Sequence, residues 1–199
     1  MRQKEKSSVQ GRMICPEGKR ADHLDSLKKR FLVFLLLVGI FAGILVQPII
    51  VKAQGPCQTS YDDGIPDELR QYFELVGNEY DICPELLESI AYYESRFIPT
   101  VKNKKHYGLM QVNVKIHKDR IEKYGWTEDD MYDPYKNLMV AADYLAELYA
   151  TYGDDNPIVL SIYSGNWKAV SRYKEYGFLT PYVSKVLTRS EEYERLHDK

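Results

Sequence analysis

Glu94 is the residue whose setting in the sequence points most directly to chemistry. Residues 84–94, PELLESIAYYE, have helical spacing, and steps of 100° per residue put Glu94 close to the angular line of Leu87, on one face with Ile90 and Ala91. A carboxylate on a packing stripe loses hydration, which favours its neutral form and raises its pKa. Pro99 lies five residues on, so the helix should end soon after Glu94, and the negative pole of the helix dipole disfavours an anion there. Both effects favour a carboxylic acid that keeps its proton near neutral pH. That is the requirement for a general acid protonating a leaving group such as a glycosidic oxygen. The competing reading is a partly exposed glutamate at a helix end with no chemical role. Glu85 falls opposite that stripe and Glu88 on its flank, so both read as solvated carboxylates.

Two further stretches carry polar groups suited to holding a substrate. In residues 106–113, HYGLMQVN, Gly108 permits a backbone shape that other residues resist, and Gln111 and Asn113 offer amides that match the acetamido and hydroxyl groups of a sugar. In residues 162–167, IYSGNW, Tyr163 leaves an apolar segment for a loop. Its hydroxyl is a candidate hydrogen-bond partner for Glu94, against the alternative of a buried structural tyrosine.

The elements that must position these residues share one start signal, a polar or turn residue followed by Pro at the first helical position. Pro66, Pro84, Pro134, Pro157 and Pro181 all fit it, with Asp133, Asn156 and Thr180 as N-caps for the last three. Residues 134–152 keep Leu138, Ala141, Ala142, Leu145, Leu148, Tyr149 and Tyr152 on one face and stop at Gly153. Residues 157–163 are apolar nearly all round and predict a short buried helix, and residues 167–176 and 181–195 predict two more. Residues 97–107 lack helical spacing and predict a small hairpin or loop. The expected architecture is mainly α, a single globular domain over residues 66–199.

The N-terminal part is different in kind. Residues 1–30 hold 9 Lys or Arg against 4 Asp or Glu and read as a basic cytoplasmic tail. Residues 31–51 are an uncharged apolar run about long enough to cross ~30 Å of hydrocarbon. Lys28, Lys29 and Arg30 before it orient a single-pass anchor with the C-terminal domain outside the cell membrane. The alternative is a signal segment cleaved near Ala53, giving a secreted protein. Residues 52–65 read as a polar linker. The remainder, residues 31–199, carries 18 basic and 25 acidic side chains, which argues against nucleic acid as partner. Cys57 and Cys83 fall outside the membrane, where a disulfide can persist. His23, His106, His117 and His197 are scattered without Cys or His partners at ligand spacing, so neither a metal nor a cofactor is expected.

Over residues 75–190 the ordered motifs resemble the soluble lytic transglycosylases, whose lysozyme-like domain is related in fold to goose-type lysozyme. The matching residues are Glu94-Ser95, Gly108-Leu109-Met110-Gln111, a Tyr163 loop, Asp133-Pro134 with Asn137, Ala141, Tyr144 and Leu145, and a run of six from Tyr182 to Leu187. One position departs from the family pattern: Tyr-Asn-Ala-Gly is Tyr163-Ser164-Gly165-Asn166 here, so an amide contact is either lost or supplied by Asn166. The resemblance implies a peptidoglycan lytic transglycosylase that cleaves the bond between N-acetylmuramic acid and N-acetylglucosamine. Glu94 would be its catalytic acid and base, and Ser95, Gly108, Met110, Gln111, Asn113, Tyr163 and Asn166 would hold the substrate. The expected product is a 1,6-anhydro sugar; the alternatives are hydrolysis, as in lysozymes, or a non-catalytic wall-binding module. Glycan strands are the expected partner, together with a membrane and an envelope secretion or conjugation machine.

Overall fold

The computed structural model describes residues 63–198. The basic tail, the apolar run 31–51, the site near Ala53, most of the linker and Cys57 lie outside the described residues. Among the described residues, no helix is long and apolar enough to cross a membrane.

Seven α-helices, one short 3₁₀ turn and a three-stranded sheet make up the described chain. Helix α1 is Asp67–Tyr80, with Leu69, Phe73, Val76 and Gly77 buried at the spacing of one face. It ends at Asp81, whose left-handed backbone aims its N–H at the Gly77 carbonyl. Helix α2, Pro84–Ser95, is buried at every position from Pro84 through Ala91. Glu85 and Glu88 are therefore not solvated, as a single-stripe reading of the helix predicts, but 0% and 2% exposed. Long-range packing covers the face that local periodicity leaves open: α2 makes the most extensive helix contact of the fold with the last helix, α7, Pro181–Leu196.

Helix α2 stops before Pro99 exerts any effect. Arg96 and Phe97 both take left-handed backbone angles, φ 56° and 62°, and the Arg96 N–H bonds the Tyr92 carbonyl. Two consecutive non-glycine residues in that region are costly. The turn is held by Phe97, whose ring packs edge-on against Phe73, and by the Arg96 guanidinium over the Tyr92 ring at 4.0 Å.

The expected hairpin is a small antiparallel sheet, β1 Lys102–Asn103, β2 His106–Tyr107 and β3 Val112–Asn113, in that order. Lys102 pairs with Tyr107, and His106 with Asn113. Two short elements without periodicity of their own follow, helix α3, Lys118–Lys123, and a 3₁₀ turn, Asp129–Tyr132.

Helix α4, Pro134–Tyr152, has the predicted bounds, with Asp133 accepting from the Lys136 N–H at 2.9 Å and Gly153 at its end. Its predicted face is buried through Tyr149, whereas Tyr152 is 37% exposed and meets Trp167 edge-on. Helix α5 is Asn156–Tyr163, capped by Asp155 rather than by Asn156. Asn156 is buried and accepts from the Tyr149 hydroxyl instead. Helix α6 is Trp167–Tyr176, and Thr180 caps α7 by accepting from the Val183 N–H.

Candidate active site

A cleft of about 460 Å³ opens where the end of α2, the small sheet, α4 and the α5–α6 loop converge. Glu94 comes from the last turn of α2, half-buried, and lines it. Tyr182, in the first turn of α7, donates its hydroxyl to Glu94 Oε1 at 2.6 Å. Burial pushes the Glu94 carboxyl above its ordinary value, opposed by the Tyr182 hydrogen bond and by the nearby His106. Burial also holds the Tyr182 phenol well above the usual tyrosine range, so it remains a donor at neutral pH.

Tyr163 is the residue whose position in the sequence suggests contact with Glu94, and its hydroxyl goes elsewhere, to the Met110 carbonyl at 2.9 Å. Its ring lines the cleft 6.0 Å from the ring of Tyr144. His117 stands on the same wall with its ring 4.5 Å from Tyr144. Burial, with Arg120 adding to it, lowers the His117 pKa to about 4, so this imidazole is neutral in the working range.

The segment 108–113 serves partly as wall and partly as foundation. Gln111 and Asn113 line the cleft. The Gln111 amide donates to the Val101 and Gly108 carbonyls, fixing a residue whose φ is 49°, and Asn113 Oδ1 accepts from the Lys115 and Ile116 N–H groups. Gly108 has φ +76°, and a Cβ there would collide with the Met131 carbonyl and with Asn137 Nδ2. Asn137, fully buried on α4, donates to the Tyr107 and Met131 carbonyls and accepts from the Met110 N–H, all at 2.7–2.8 Å. One side chain thus ties the wall segment to the 3₁₀ turn and to α4, and Gly108 is required because Asn137 occupies the space a side chain would need. Met110 and Ser95 are buried outside the lining, Ser95 donating back to the Ala91 carbonyl.

At the other wall, Ser164, Gly165 and Trp167 line the cleft, and Asn166 does not. The Ser164 hydroxyl donates to the Ser161 carbonyl at 2.9 Å. The amide missing from position 164 is therefore not replaced in the lining by Asn166. Trp167, 55% exposed, presents an apolar face at the cleft edge.

Among the described residues that line the cleft, Glu94 is the one carboxylate. Asp119, Asp129, Asp130 and Asp133 all lie outside it. Asp130 is held by Lys136 and by both Thr127 groups, and Asp133 is a helix cap. The cleft therefore offers one shielded acid with one tyrosine donor, surrounded by aromatic and amide groups.

A helical domain with a single shielded acid at the foot of an open cleft is the class that fold and site define. The chain belongs to the transglycosylase SLT domain family, whose sequence pattern matches residues 71–178. Its fold is similar to that of the lytic transglycosylase Slt from Pseudomonas aeruginosa, seen in the X-ray structure of an inactive mutant, at TM-score 0.58 and 16% identity. That likeness covers 67% of this chain and 25% of the other, so this chain spans about a quarter of the length of that protein. No curated protein matches the sequence.

Proposed function

We propose that this protein is a peptidoglycan lytic transglycosylase cleaving the β-1,4 bond between N-acetylmuramic acid and N-acetylglucosamine, with Glu94 as the catalytic acid and base. The observation that carries this reading is the cleft with one carboxylate. A glycosidase that uses two protein carboxylates needs the second at a set distance, as nucleophile or as base for water. Here Glu94 stands without a second among the lining residues, which suits a reaction in which the substrate supplies its own nucleophile.

Glu94 begins protonated and gives its proton to the glycosidic oxygen as the bond to the muramic acid C1 breaks. The resulting carboxylate, held by the Tyr182 hydroxyl, then takes the proton of the substrate's own 6-hydroxyl as that oxygen closes on C1. The product is a 1,6-anhydro sugar and no water is consumed. Gln111, Asn113, Tyr163 and Trp167 form the wall against which the glycan lies. Residues 31–51 would tether this domain on the outer face of the cell membrane, close to an envelope secretion or conjugation machine that needs a gap in the wall.

Digestion of purified sacculi by the full chain, with mass spectrometry of the fragments, tests the reaction. Fragments ending in anhydro sugars are expected. Fragments heavier by one water would make the enzyme a hydrolytic muramidase. Binding without release of fragments would make it a wall-binding module.

A further inference from the structure

The buried glutamates of the described residues lie away from the cleft, at the opposite end of α2. Glu85 and Glu88 sit one turn apart on that helix with side chains 0% and 3% exposed, and His197 reaches them from the C-terminal end of α7. His197 Nδ1 is 3.0 Å from Glu85 Oε1 and 3.8 Å from Glu88 Oε2. One ligand atom from each of the three residues lies within 4.8 Å of the other two. Glu88 Oε2 is buried, points into the group, and has no hydrogen-bond partner among the described residues. A buried carboxylate oxygen in that condition calls for an explanation, and an ion is one of the few available.

The second nitrogen of His197 is already oriented. Nε2 is 2.9 Å from Asp63 Oδ2, and Asp63 is itself fixed by two contacts from Arg70, at 2.7 and 2.5 Å, and by the Ile65 N–H. A carboxylate on one imidazole nitrogen with the other turned toward acidic oxygens is the outer-shell arrangement found behind metal-ligating histidines.

We propose that Glu85, Glu88 and His197 Nδ1 form a binding site for a divalent transition cation of the zinc type. Oxygen and nitrogen ligands of a tetrahedral zinc stand roughly 3.4 Å apart, from bonds of about 2.0–2.2 Å, and the two observed separations from His197 fall on either side of that value. Two carboxylates balance the charge of the ion, and Asp63 is already balanced by Arg70. Calcium and magnesium are excluded by the donor set, since calcium takes ~6–8 oxygens and both prefer oxygen alone. The site would clamp α7 to α2. That clamp sets the helix bearing Tyr182 against the helix bearing Glu94, so the ion's role is structural.

The full chain, stripped with chelator and desalted, is titrated with zinc chloride, and retained metal is measured together with X-ray absorption at the zinc edge. About one zinc per chain is expected, with nitrogen and oxygen neighbours only. Zinc should raise the melting temperature, while magnesium and calcium should not. Asp63→Asn should weaken zinc binding ~10–100-fold through the outer shell, and Glu88→Gln should weaken it further, each with helical circular dichroism retained. If Glu88→Gln does not fold, the absorption spectrum of the unmodified chain decides alone. No retained zinc, a sulfur neighbour, or undiminished affinity in a folded Glu88→Gln chain would overturn the proposal.

Discussion

Tyr182 and Glu94 stand 88 positions apart in the chain, and the tyrosine hydroxyl meets the glutamate Oε1 at 2.6 Å across the contact between α7 and α2. The bond favours the charged carboxylate and so opposes the effect of burial. It also fixes the direction in which the Glu94 carboxyl faces the cleft.

Tyr182→Phe should lower kcat about 10–100-fold, the kinetic equivalent of losing a hydrogen bond of ~1.5–3 kcal/mol to a charged group. It should also move the alkaline limb of the pH–rate profile to higher pH, because a group that holds the Glu94 pKa down has been removed. A variant that merely loosened packing would lower the rate without moving the limb. The pH dependence of fragment release, measured for both proteins, tells the two apart.

Glu94→Gln keeps the shape of the side chain and cannot transfer the proton, so activity should fall by at least the ~10²–10⁴-fold assigned to general acid–base catalysis. Stability should change in the opposite direction. The folded pKa of Glu94 lies above the ordinary 4.5, so the folded state binds the proton more tightly than the unfolded chain. Stability therefore falls as pH rises from about 4.5 through the folded pKa, and the penalty persists above it. Glutamine removes that penalty. Melting temperatures of the two proteins should diverge in favour of the variant as pH is raised from acid to neutral.

Gly108→Ala should be severely destabilising, by about 3 kcal/mol or more, because the new methyl meets the Met131 carbonyl and the Asn137 amide at a φ that alanine also resists. Gly165→Ala provides the control. Its φ is nearly the same, +74°, but no atom lies within 4 Å of the added carbon, so about 1 kcal/mol of backbone strain is expected. Urea denaturation of both variants separates steric conflict from backbone preference.

Asn137→Ala removes one acceptor and two donors from buried backbone groups at once. At ~1–3 kcal/mol for each group left unsatisfied, the loss should exceed that of an ordinary core substitution. Hydrogen exchange should show the Met110 amide losing protection ahead of α4 as a whole.

Trp167→Ala should raise KM for glycan strands about 10-fold with little change in kcat, since an exposed ring at the cleft edge contributes stacking area and no group to the reacting bond. Steady-state kinetics on soluble glycan strands measures the split.

Local chemistry in the sequence was enough to determine most of the helices. Pro134 after the Asp133 cap and Gly153 at the far end fix α4 to the residue, because capping and backbone preference act within one turn. The same holds for α6, whereas the end of α2 just after Glu94 is set by the left-handed Arg96–Phe97 turn and its packing on Phe73 rather than by Pro99. The short helix α3 and the 3₁₀ turn escaped because neither is long enough to show a period. Only the tertiary structure decided which groups meet. A helical wheel assigns one buried face, whereas α2 is enclosed on all sides from Pro84 to Ala91, so Glu85 and Glu88 are buried against a histidine more than a hundred residues away. It also gave Glu94 the hydroxyl of Tyr182 rather than that of Tyr163, turned Gln111 toward backbone carbonyls, and kept every other carboxylate of the described residues out of the cleft lining. Those outcomes depend on contacts between segments distant in sequence, which no local pattern encodes.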